Sequence, residues 1–248
     1  MAHVTAIIPA RLDSKRFSRK ILYPVKGKPL IYYVWHAAMQ ARLVDRVFVA
    51  TDSDEIGRTV NNFGGAVILT SPKPRNGTER VIEAVKGLRT DIVVNLQGDN
   101  INLPGKDIDR VIEMMTSDPK IQFATLAQPI GPRGWKDKLY SPNVVKVIIN
   151  ASGDALWFSR YPIPYLKNPD RQPAIKRYPY LEHIGVYFFR KKALAAYRSW
   201  ERGKAEAAES LEQLRIIENG GKIKVFLTST EVISVDSVAA VKKAVRHI

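Results

Sequence analysis

Val4-Thr5-Ala6-Ile7-Ile8-Pro9-Ala10-Arg11-Leu12-Asp13-Ser14-Lys15-Arg16-Phe17-Ser18-Arg19-Lys20 opens the chain with an apolar run followed by a basic loop. Continuous β-branched and apolar residues read as a strand buried on both faces, the signature of a parallel sheet. Pro9, which has no N–H to donate, is expected to stop the ladder. The loop beyond it carries five cations, Arg11, Lys15, Arg16, Arg19 and Lys20. Open α/β sheets bind ligands at the carboxyl ends of their strands, so cations placed there suit a triphosphate. Taken by itself, the charge reads more readily as a solvated loop; the strand before it shifts the reading toward phosphate.

Outward from this stretch the alternation continues. A helical pattern from Pro29 to about Arg42 follows Gly27-Lys28, with proline at the first helical position. Asp45 to Ala50 is a second strand, and Ser53 caps a helix that Gly64-Gly65 ends after Phe63. Ala66–Thr70 is a third strand, Thr78–Leu88 a helix and Asp91–Leu96 a fourth strand. Strands and helices in this order specify a mostly parallel sheet flanked by helices on both faces. The glycine patterns of dinucleotide folds and P-loop ATPases are absent.

From about Gln122 the pattern changes to strands and proline-rich turns. Phe123–Gln128, Val144–Ile149, Ala155–Arg160 and Glu182–Arg190 read as strands, and Tyr161–Tyr180, with five prolines, as an irregular arm. A helix over Ser210–Asn219, strands at Lys222–Thr228 and Val232–Val235, and a helix from near Ser237 complete the chain. No repeat or linker divides it, so residues 1–248 parse as one α/β domain whose β-rich half spans about 122–190.

The composition bounds the function. Lys+Arg 39 against Asp+Glu 24 gives a formal net charge of +15, which favours anionic partners. No RNP, zinc-finger or helix-turn-helix pattern accompanies it, making nucleic acid the weaker partner. With no cysteine, disulfides, thiolate metal sites and cysteine nucleophiles are excluded. No apolar run reaches the ~18 residues of a membrane span, and no signal-peptide pattern opens the chain, so a cytoplasmic location is expected.

Three further stretches carry candidate chemistry. Gln97-Gly98-Asp99 follows a buried strand, and a carboxylate there suits Mg²⁺ bridging phosphate oxygens, or simply a turn. Asp236 ends Val232–Val235 in the same way; capping the last helix is an equal reading. Arg75-Asn76-Gly77-Thr78-Glu79-Arg80 opens a helix whose backbone N–H groups suit an anion, although an ordinary cap accounts for it equally.

Ile8-Pro9-Ala10-Arg11-Leu12-Asp13-Ser14-Lys15-Arg16 resembles the opening signature of the sugar-acid cytidylyltransferases, in particular the 3-deoxy-manno-octulosonate (Kdo) cytidylyltransferase family. Gln97-Gly98-Asp99, Asn76–Arg80, Val235-Asp236-Ser237, Asn143–Val147, Ala155–Arg160, His183–Tyr187 and Glu209–Arg215 resemble further family segments in order. The resemblance implies a Rossmann-like nucleotidyltransferase, a homodimer, that couples CTP to a Kdo-like acid for lipopolysaccharide or other cell-surface polysaccharide. It implies Arg11, Lys20, Asp99 and Asp236 as catalytic residues, the two aspartates holding Mg²⁺. Ala10, Arg11, Ser14, Lys20, Asn76, Gly77, Thr78, Arg80 and Gln97 would bind nucleotide. Arg160, His183, Glu212 and Gln213 would bind the sugar acid. Two departures stand out: Ser18-Arg19 replaces the family's Pro-Gly, and Asn100-Ile101 replaces its Glu-Pro. They leave open a related acid such as an amino-substituted octulosonate, another nucleotide, or a non-catalytic basic nucleotide- or RNA-binding protein.

Overall fold

The computed structural model describes residues 2–12, 19–167, 174–235 and 240–241. Strand β1 (Val4–Ala10) is followed by the small hairpin β2 (Pro24–Val25) and β3 (Lys28–Pro29), helix α1 (Leu30–Met39) and β4 (Arg46–Thr51). Then come α2 (Asp54–Asn62), β5 (Ala66–Leu69), α3 (Gly77–Ala84), β6 (Ile92–Leu96), β7 (Asn100–Ile101) and α4 (Gly105–Ser117). The second half contains β8 (Phe123–Pro129), α5 (Trp135–Tyr140), β9 (Lys146–Ile149), β10 (Ala155–Ser159), α6 (Ala174–Arg177) and β11 (Leu181–Arg190). It continues through α7 (Lys191–Ser199), α8 (Lys204–Glu209), α9 (Leu214–Glu218), β12 (Ile223–Leu227) and β13 (Ile233–Ser234).

One nine-stranded sheet runs β10-β9-β11-β6-β1-β4-β5, with β8 alongside β11 and β12 alongside β8. The β6-β1-β4-β5 block is parallel. Strand β11 runs against β6, β8 and β9, making the sheet mixed. Side chains alternate along β1. Val4, Ala6, Ile8 and Ala10 pack with α1, α2 and α4, whereas Ile7 faces the layer holding α3, α7 and α9. Every residue of β6 is buried, and each such Val, Ile or Leu contributes about 1.5–3 kcal/mol.

The structure corrects the sequence reading at several places. Pro9 does not end the ladder: pairing with β6 stops at Ile7↔Asn95, but pairing with β4 runs on to Ala10↔Thr51. Pro9 interrupts only one side. Pro29 is the N-cap of α1 and not its first residue. Helix α4 has no counterpart in the sequence reading, although Ile108, Val111, Ile112 and Met115 recur at helical spacing and are buried. The expected Ser210–Asn219 helix is shorter, running only over Leu214–Glu218. Ser210, in the left-handed region at φ 52, ends α8, and α9 begins only at Leu214. Of the expected last helix, Ala240–Val241 is described and the rest lies outside the described residues. No helix among the described residues is long and apolar enough to cross a membrane.

Candidate active site

A cavity of about 330 Å³ opens at the carboxyl end of β6, where β11 enters the sheet. Asn76, Gly77, Gln97, Asp99, Asn100 and Gly185 form one wall; Asn143–Val145, Arg160, His183, Glu212 and Gln213 form much of the other. Close packing makes the first wall. A Cβ on Gly77 would stand 2.9 Å from Gln97 Nε2, and one on Gly185 3.4 Å from Gln97 Cγ, so Gln97 is seated between two glycines.

Lys20 enters from a single 3₁₀ turn, Lys20–Leu22, and its Nζ donates to Asp99 Oδ2 at 2.5 Å. Asp99 is fixed from behind too: its carbonyl accepts the Val235 N–H at 2.9 Å, while β13 pairs Ser234 with Asn100. Asp236 and Ser14 lie outside the described residues. Among those described, no group of three or more histidine, cysteine or acidic side chains could hold a metal. Mg²⁺ is nevertheless commonly held by one or two carboxylates together with substrate phosphates and water, and Asp99 at the strand end suits that role.

Arg11 donates to the carbonyls of Pro74 and Arg75 and so ties the end of β1 to the loop before α3. Burial lowers its pKa, with Arg80 nearby acting in the same direction. Ala10 is buried at the end of β1. The N-terminus of α3 is already partly satisfied: Asn76 Oδ1 accepts the Glu79 N–H at 2.8 Å, and Glu212 Oε2 accepts that of Thr78 at 3.2 Å. Those two N–H groups are therefore not free for an anion. Arg80, expected at the nucleotide, is fully buried. It donates to Thr70 Oγ1 and has Nη2 3.2 Å from Asp52 Oδ2, an ion-pair contact beneath the loop.

On the other wall, Glu212 Oε1 also accepts from Gln97 Nε2 at 3.3 Å, which joins the expected nucleotide and sugar residues directly. Burial raises the Glu212 pKa, against the lowering effect of the Thr78 hydrogen bonds. Gln213 is buried; its Oε1 accepts from Tyr187 Oη at 3.0 Å and its Nε2 has no partner among the described residues. A buried unsatisfied amide costs about 1–3 kcal/mol, and this one belongs to a side chain lining the cavity.

His183 sits between Phe158 and Tyr187, its Nε2 2.9 Å from Thr125 Oγ1. Thr125 donates its hydroxyl hydrogen to the Val186 carbonyl at 2.7 Å. His183 Nε2 is then the donor and Nδ1 an acceptor, with burial lowering the ring's pKa to about 3. Arg160 clamps the backbone: Nε donates to Glu209 O at 2.7 Å and Nη1 to Pro142 O at 2.8 Å. It holds the wall as well as facing the cavity.

The departures from the family pattern also become physical. Arg19 occupies the left-handed backbone region at φ 56, the region glycine favours, and its guanidinium pairs with Glu55. Asn100 is buried and donates from Nδ2 to the Gly185 carbonyl at 3.0 Å, a bond that an ionised carboxylate at this position could not donate. The reading of single residues missed Asn100, Asn143, Glu182 and Gly185 as lining; the available signal was the position of Asn100 and Glu182 at strand starts and of Asn143 just before β9, whereas Gly185 lies inside β11.

A family model described as cytidylyltransferase matches residues 5–223. The 3-deoxy-manno-octulosonate cytidylyltransferase of Chlorobium phaeobacteroides is 42% identical over 225 residues, covering 91% of this chain and 89% of that protein. The chain belongs to this cytidylyltransferase family. The enzyme of the same description from Geobacter sulfurreducens is 40% identical to this cytidylyltransferase over 240 residues, 95% of each chain. A solved CMP:2-keto-3-deoxy-manno-octonic acid synthetase complexed with CTP superposes with a TM-score of 0.88 at 35% identity, covering 99% of this chain and 98% of that one. The resemblance read from Ile8–Arg16 and the Rossmann-like nucleotidyltransferase fold are borne out.

Proposed function

We propose that this cytidylyltransferase couples CTP to 3-deoxy-manno-octulosonate, giving the CMP-sugar and pyrophosphate, as a step toward cell-surface polysaccharide. The observation that carries the reading is the single cavity in which the Asn76–Gly77 loop and Gln97-Gly98-Asp99 face Glu212 and Gln213. Nucleotide and acid would meet there.

Transfer of this kind depends on positioning and charge stabilisation more than on covalent help from the protein. The acceptor's anomeric hydroxyl attacks the α-phosphorus of CTP and gives up its proton to solvent; the bond from the α-phosphorus to the α,β-bridging oxygen breaks, and pyrophosphate leaves. Lys20 and Arg11 stabilise the negative charge gathering on the leaving group. Gln213 Nε2 supplies a hydrogen bond to the acid, and neutral His183 helps shape its pocket. Asp99, with Asp236, would hold Mg²⁺, which when bound polarises phosphate oxygens.

A homodimer built through the second half accords with this reading. Leu156, Tyr161 and Tyr165 there are 54%, 75% and 82% exposed, an apolar surface of the kind that isologous contacts cover. Sedimentation at micromolar concentration is expected to show a dimer, and a fully active monomer would refute it.

The test of function is pyrophosphate release with each of CTP, UTP and ATP against a panel of 3-deoxy-ulosonic acids with Mg²⁺. CTP with 3-deoxy-manno-octulosonate is expected to be fastest. Faster turnover with UTP or ATP would overturn the nucleotide assignment. Turnover only with a different acid would keep the chemistry and move the acceptor.

A further inference from the structure

Lys146 begins β9 with a fully buried side chain, yet it carries an ammonium. Its Nζ donates to three backbone carbonyls, those of Ser141 at 3.0 Å, Val144 at 2.6 Å and Arg160 at 2.5 Å. An ammonium has three N–H bonds, so its donor capacity is filled. The three acceptors come from two separate parts of the cavity. Ser141 and Val144 bracket the turn that presents Asn143, Val144 and Val145, whereas Arg160 follows β10. Arg160 Nη1 reaches the same turn at the Pro142 carbonyl, and the Lys146 ammonium adds the links from Ser141 and Val144 to the Arg160 backbone.

We propose that Lys146 is a positioning residue for the acceptor acid, its ammonium fixing the Asn143–Val145 turn against Arg160 and thereby setting the width of that side of the cavity. The inference rests on reading the cavity as the sugar-acid site. It adds a residue that does not touch substrate. The charged form is the active one, because a neutral amine keeps only two N–H bonds and one of the three carbonyls then loses its donor.

Burial lowers the Lys146 pKa to about 8. The charged groups facing it are Glu209 of α8 and Glu182 of β11, which hold the proton on, and Arg160, which opposes it. The turn is therefore released as pH rises through about 8. Stability moves the other way. Between the folded value near 8 and the unfolded value near 10.5 the unfolded chain binds more protons, so this group's contribution to stability grows with pH. A weaker grip on the acid at alkaline pH cannot then be ascribed to this lysine unfolding the protein.

The experiment measures KM for the acid and for CTP from pH 7 to 9.5, in the wild type and in Lys146→Met. In the wild type, KM for the acid is expected to rise about tenfold across pH 8 while KM for CTP changes less than twofold. In Lys146→Met, KM for the acid should already be raised about tenfold at pH 7 and be flat with pH. A wild-type KM for the acid that is flat from pH 7 to 9.5, or equal effects on both substrates, would overturn the proposal; so would a variant matching the wild type. If Lys146→Met does not fold, the wild-type profile decides alone. Absence of wild-type turnover with every 3-deoxy-ulosonic acid is a different result: it sinks the reading of the cavity, and this inference with it.

Discussion

Lys20 Nζ and Asp99 Oδ2 lie 2.5 Å apart although 79 residues separate them in the chain. Their side chains are 16% and 25% exposed, so each charge offsets the other in a partly dry place. The pair brings the end of the basic loop after β1 and the turn after β6 to one point.

Asp99→Asn keeps the shape and removes the charge. Turnover is expected to fall about 100-fold, equivalent to ~2.7 kcal/mol in the barrier, with the circular-dichroism spectrum unchanged. Lys20→Met is expected instead to raise KM for CTP. Pyrophosphate release at saturating Mg²⁺ checks both; near-normal turnover in Asp99→Asn would remove that residue from the metal site.

Gln213→Ala deletes the amide whose Nε2 is unpartnered and whose Oε1 holds Tyr187. KM for the acid is expected to rise by about 10- to 100-fold, the range that one hydrogen bond of about 1.5–3 kcal/mol gives. KM for CTP should change less than threefold. Equal changes on both substrates would place Gln213 outside the acid site.

His183 gives a pH dependence of stability. Its folded pKa is lowered by burial to about 3, below the ordinary value of 6.5. The unfolded chain therefore takes up a proton that the folded protein refuses, and stability is lost as pH falls from about 6.5 toward 3. Over the middle of that window the slope from this residue is about 1.4 kcal/mol per pH unit. In His183→Phe, urea unfolding at pH 4.5 and 5.5 should show a slope smaller by about that amount, whatever the starting stability. Identical slopes would mean that His183 is protonated in the fold.

Arg19 tests the departure in the basic loop. Its φ of 56 costs a non-glycine residue roughly 1 kcal/mol, and its exposed pair with Glu55 returns at most about 1 kcal/mol. Arg19→Gly relieves the backbone while losing the pair; Arg19→Ala loses the pair and keeps the strain. Arg19→Gly is expected to be the more stable of the two by about 0.5–1 kcal/mol in urea unfolding. The opposite order would mean that the φ value carries no strain.

Much of the first half was legible because it obeys local rules. Val4–Ile8 and Ile92–Leu96 are buried on both faces and read as uninterrupted apolar strands, and Ser53 caps α2 by accepting the Ile56 N–H at 3.3 Å. The candidate site was legible in outline because Gln97 and Asp99 follow the buried strand β6, while the 75–80 loop follows β5, an edge strand that is not buried. The burial of Arg80 was not legible, because it depends on Asp52 and Thr70, partners that no local spacing announces. Helix α9 was drawn too long because the left-handed turn at Ser210 sits on a residue that elsewhere continues a helix. Lys146 was unreadable as a buried group: lysine on a strand normally means exposure, and only the three carbonyls around it reverse that.

Strand β11 has a consequence for how the substrates can arrive. Its start pairs with β9 at Leu181 and Glu182, its end pairs with β6 from Val186 to Arg190, and β8 accompanies it along the opposite edge. One strand, β11, thus contributes to both walls of the cavity, with a register shift against β8 between Ile184 and Tyr187. Admission and release are expected to depend on the connecting segments that line the cavity, among them those carrying Asn143 and Ser210. Redesigning the acceptor preference should accordingly succeed by exchanging the turns around Asn143 and Ser210, and fail by transplanting half a sheet.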